Sequence, residues 1–141
     1  MDAFQAITST MGDDPQPVAS VTTFFPSNGF ALVLATGYCF GELGQPDLDV
    51  RLGIEPVTNT ISFVNGGSAV LHLSSPNVET PSGRGFDTFS VSRVFAVAAG
   101  SNPSFYLNGV LGGGAPGAQR FTCKSAMTVF FAETQLAASG S

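Results

Sequence analysis

From Pro17 onward the chain is cut into short runs rich in Val, Thr, Leu and Phe by clusters of Gly, Pro, Asn and Ser. None of the runs carries a convincing helical period. Such punctuation leaves few folds open, because Gly and Asn supply turn conformations and Pro cannot donate to a strand ladder. The runs read as strands over 18–25, 30–40, 48–54, 61–64, 68–73, 86–98, 104–111 and 119–134. In the third of these, Leu48, Val50, Leu52 and Ile54 alternate with Asp49, Arg51 and Gly53, giving one dry face and one wet face. Asn65-Gly66 predicts a hairpin joining 61–64 to 68–73, since both residues tolerate the positive φ of a type I′ turn. The run at 30–40 is expected to break near Gly37. Roughly eight antiparallel strands make an all-β, single antiparallel sandwich, and eight is the jelly-roll count. No internal repeat is visible, which argues against a propeller or solenoid.

A chain of 141 residues suits one domain. The expected division is an N-terminal arm over 1–17, a sandwich over 18–136 and a flexible tail over 137–141. The arm is polar, carries Asp2, Asp13 and Asp14, and ends in Asp14-Pro15-Gln16-Pro17. Residues 3–10 could form a short helix with Phe4 and Ile7 on one side. An arm without a core of its own either dangles or docks on a neighbour, so Phe4, Ile7 and Met11 are the candidate partner-binding residues.

Charged residues make up 11% of the chain, against about 25% in an average soluble domain. Either Ser, Thr, Asn and Gly cover the surface instead, or part of it is buried against other subunits. Thirteen Phe and no Trp favour the second, since Phe is core and interface material. The net charge is −5, and the five cations (Arg51, Arg84, Arg93, Arg120, Lys124) form no stripe. Phosphate neutralisation needs clustered positive charge, so nucleic acid is excluded as a partner. No apolar run reaches membrane-spanning length, so no membrane association is expected. The first residues lack the basic and apolar regions of a secretory signal, which points to synthesis in a cytoplasm. Cys39 and Cys123 are then expected as buried free thiols, with a disulfide the minority outcome.

Sites for chemistry are sparse. His72 takes the strand face opposite Leu71 and Leu73, and is expected as a solvent- or interface-facing residue rather than a base or ligand. No Gly-x-Ser-x-Gly elbow accompanies it. Glu42, Asp47 and Asp49 flank one loop and could bind Ca²⁺, but they lack the Asp-x-Asp-x-Asp spacing, and a solvated loop explains them equally well. The Gly112–Gly117 run lacks the Gly-Lys-Ser/Thr ending of a phosphate loop. Arg93 falls on the apolar parity of Phe89, Val91, Phe95 and Val97. Either a bulge turns it outward, or it is a buried or interfacial cation with a carboxylate partner. No enzyme activity, cofactor or metal is expected.

The eight-strand pattern with its N-terminal arm, from Val18 to about Thr134, resembles the small jelly-roll or barrel decoration (cement) proteins of tailed-phage capsids. The resemblance implies a virion structural protein, made in the host cytoplasm, homo-oligomeric with a trimer the expected state, and bound to a capsid shell by the arm and one end of the barrel. The competing expectation is a carbohydrate- or receptor-binding module, such as a fibre tip, using Tyr38 or Tyr106.

Overall fold

A computed structural model describes residues 2–10, 15–42, 47–62, 66–74, 84–112 and 120–133, with side chains over 15–40, 49–62, 66–71, 87–110 and 123–133. The strands in chain order are β1 (Asp2–Thr10), β2 (Gln16–Thr22), β3 (Gly29–Glu42), β4 (Asp47–Glu55), β5 (Ser68–Ser74), β6 (Arg84–Val97), β7 (Ser104–Gly112) and β8 (Arg120–Ala132). They build two four-stranded sheets, ordered β1-β8-β3-β6 and β2-β7-β4-β5, with every pairing antiparallel. Each sheet draws strands from both ends of the chain, so the chain crosses repeatedly from one sheet to the other. That order is the double Greek key of a jelly roll.

Three expectations are corrected. Residues 2–10 are neither a helix nor a detached arm: β1 pairs with β8 from Asp2 opposite Thr128 to Thr10 opposite Arg120, as an edge strand of the first sheet. Extended pairing satisfies the backbone groups that an isolated short helix would leave to water. The hairpin between 61–64 and 68–73 does not form. The partner of β5 is β4, and Ile61 and Ser62 lie outside any strand. Gly66 does take the positive φ of a turn, at 78°. The long third strand does not break at Gly37. There β3 and β8 approach so closely that a Cβ would collide with the Lys124 carbonyl oxygen and lie 2.9 Å from Ser125 Cα. Glycine is required at this position for the backbone approach.

The sheets bury a shared core. Val33, Ala35, Val50, Leu52, Ile54 and Leu107 have no exposed surface, and the inward alternation of β4, β6 and β8 follows the sequence pattern. Aromatic rings close one end: Phe25 meets Phe105 edge-on at 6.5 Å and Phe131 at 5.3 Å. Cys39 and Cys123 sit directly opposite each other on β3 and β8, fully buried, and form a disulfide. The free-thiol expectation is therefore overturned. The cause is register: β3 and β8 are neighbours in the sheet, although 84 residues separate the two cysteines. The residues expected as a flexible tail, 137–141, lie outside the described residues.

Candidate functional site

A strand in a sandwich normally turns polar residues outward, because only one face meets the core. The first sheet departs from this on its central strand. The inward residues of β3, including Ala31, Val33, Ala35 and Cys39, are buried. Its outward residues are Phe30, Leu32, Leu34, Thr36, Tyr38 and Phe40, and all but Thr36 are apolar or aromatic. Tyr38 and Phe40 stack along the strand, with centroids 6.2 Å apart and planes 23° apart. Register carries the apolar surface sideways: Leu32 lies between Phe130 of β8 and Val94 of β6, and Phe30 between Ala132 and Ala96. Phe130 is 52% exposed and Val94 44%. Among the described side chains of this outer face, Lys124 is the one charged group.

The second sheet covers part of its outer face, around Asn108 and Glu55, with its own chain. Asn108 occupies an outward position of β7, yet it is fully buried. Its Nδ2 donates to the carbonyl oxygens of Val57 and Thr60, both at 2.9 Å, which draws the 57–60 segment across the sheet. Asn59, at φ 62°, makes the bend there. Beside it, Glu55 accepts from the Ser62 amide and hydroxyl at Oε1, both at 2.7 Å. The Arg93 guanidinium donates to Glu55 Oε2 and to the Ile54 carbonyl, each at 2.9 Å, and lies 4.9 Å from the Phe95 ring centroid. Burial pushes the Glu55 pKa up, but the Ser62 and Arg93 hydrogen bonds outweigh burial and hold the carboxyl below its ordinary range. The β3–β6 register runs unbroken from Arg84 to Val97, so no bulge turns Arg93 outward. It is the paired cation of the two alternatives, joining an edge strand of one sheet to a central strand of the other.

Other candidates are not brought together. Phe4 and Ile7 lie on β1 at the register positions of Ala126 and Cys123, and residues three apart fall on opposite faces of a strand. Met11 lies outside the described residues. His72 pairs with Asp49 in the backbone ladder of the second sheet. Glu42 ends β3 in the first sheet, opposite Arg84 on one side and Arg120 on the other, whereas Asp47 and Asp49 belong to β4 in the second. Tyr38 and Tyr106 are half-buried on outward positions of different sheets, so they do not make one sugar platform. Residues 113–117 of the glycine-rich run lie outside the described residues.

Sequence reasoning missed the outer face of β3. Its signal was the run 30–35, which is apolar without alternation, the mark of a strand covered on both sides. An open cleft of about 410 Å³ also lies where β6 runs past the end of β5, lined by Pro56, Phe95, Val97, Pro103, Ser104 and Phe105.

No known protein family matches the chain, and no curated protein matches it in sequence. Among solved structures, it is similar to Eiger TNF from S. frugiperda at 13% identity and a TM-score of 0.42, covering 100% of this chain and 98% of that one.

Proposed function

We propose that this chain is a virion structural protein, a capsid decoration subunit that assembles as a homo-oligomer on a larger shell and works by burying surface. The observation that supports the reading is the outer face of the first sheet. Apolar along its central strand, with Lys124 the one charge among its described side chains, it is costly to leave in water and suited to burial in an assembly. The low charge of the whole chain points the same way. The edge strand β1, which carries Phe4 and Ile7, together with Met11 beyond it, is the proposed contact with the shell. A buried disulfide fits a particle that leaves a reducing cytoplasm and persists outside the cell.

The test is direct. An antibody against this chain should label intact virus particles from its source, and light scattering of the purified chain should give a mass above the 14.5 kDa of one copy. Particles that lack the chain, or a protein that stays monomeric at micromolar concentration, would end this reading.

A further inference from the structure

We propose that the outer face of the first sheet is the surface through which copies of this chain bind one another. The inference rests on the assembly reading above and supplies its partner. Strand β3 carries the argument, because it is apolar on one face and, Thr36 apart, on the other, while the described residues provide a covering layer on only one. A strand of that composition is built to lie between two layers. On this inference, the second layer is supplied by another chain.

Charge selects which one. The chain carries a net charge of −5, and the described side chains of this face hold Lys124 and no carboxylate. Copies meeting through an acid-bearing face would repel, whereas contact over the described side chains of this face brings no carboxylate against another. A partner with a charged binding surface would give up the hydration of its charges and find almost nothing to pair with. The fitting partner is a sheet face of low charge with an apolar central strand, and a second copy presents one. Relief agrees: the row Phe130–Leu32–Val94 is bulky, and the adjacent row sets Phe30 between Ala132 and Ala96. Bulky and shallow positions side by side allow two such faces to interdigitate.

The size is adequate. At about 4.8 Å between strands and about 3.3 Å per residue, β8, β3 and β6 span about 14 Å by about 36 Å from Phe30 to Phe40, or about 500 Å². Two such faces reach the roughly 1,000 Å² total at which a specific interface begins.

The experiment uses the full chain at micromolar concentration in light scattering. The wild type should show two or more copies. Phe130→Asp with Val94→Asp should give 14.5 kDa with its β-sheet circular dichroism intact. Val70→Asp, at a 58% exposed position on the outer face of the second sheet, should keep the wild-type mass. Should the double variant not fold, a benzophenone amino acid in place of Phe130 still decides: ultraviolet light should cross-link copies from position 130 and not from position 70. An oligomer that keeps its mass in the double variant, or does not cross-link from position 130, overturns this inference and leaves the assembly reading standing. A monomeric wild type removes both.

Discussion

On the second sheet, Glu55 and Asn108 occupy outward positions, yet Glu55 is 5% exposed and Asn108 not at all, because residues 57–62 fold over them. On the first sheet, Phe130 and Val94 occupy outward positions 52% and 44% exposed, with no described segment across them. The two sheets have the same number of strands and share one core, so the contrast does not come from architecture. It comes from where the chain spends its polar groups. The second sheet carries Asn and Glu outward and ties a loop to them. The first carries bulky Phe130, Leu32 and Val94 outward at one end, and its outward polar groups there are short hydroxyls such as Thr36, Thr88, Ser90 and Ser92 rather than Asn and Glu. The patch over Asn108 and Glu55 is closed to partners, and the exposed apolar patch at Phe130 and Val94 is where assembly can occur.

The contrast can be tested by breaking each sheet's own tie. The largest effect is expected on the first sheet. Replacing Cys39 and Cys123 together by Ala frees a cross-link spanning 84 residues, worth about 4.5 kcal/mol by loop entropy. A urea midpoint that barely moves would mean that the strand ladder alone holds β3 to β8. Next comes Glu55→Ala on the second sheet, which strands the Arg93 guanidinium and the Ser62 amide. The expected loss is about 3 kcal/mol, together with faster amide exchange at Ser62. Equal exchange in both proteins would show that the 57–62 segment is held by Asn108 alone.

The smallest effect is a pH dependence. The folded pKa of Glu55 lies below its unfolded value of 4.5, so its contribution is fully present above pH 4.5 and is lost as pH falls through the folded pKa. Melting temperature should decline in that acid window, and Glu55→Gln should remove part of the decline. No such change is expected from substitutions at Phe130 or Val94, since the first sheet's outer face holds no carboxylate among its described side chains.

Much of this was legible in the sequence, and the failures share a cause. Inward residues of β4, β6 and β8 follow from a period of two, which is local information. Eight strands were expected and eight are present among the described residues, but the sets differ: Ile61 and Ser62 lie outside any strand and 2–10 comes in. Ile61 and Ser62 look like strand residues, yet Ser62 is committed to Glu55 and Ile61 packs against Gly53, leaving them over the sheet rather than in it. Residues 2–10 are short on apolar side chains, and only the free edge of β8 makes them a strand. Arg93 showed its oddity through parity, but not the identity of its carboxylate. That partner, like the Cys39–Cys123 bond, is fixed by which strands become neighbours, and strand adjacency has no local signature.

The position of that bond along the chain also governs how the molecule would bear load. Everything between residues 39 and 123, including β4 to β7, lies inside a covalent ring. Tension applied at the two ends of the chain therefore passes from β3 to β8 through sulfur and bypasses the other four strands. Fully drawn out, the molecule would release about 200 Å of length, against about 490 Å for the same 141 residues without the ring. The strands inside the ring could be sheared or melted, but they could not be unravelled by pulling, and a subunit anchored at its ends would act as a short tether.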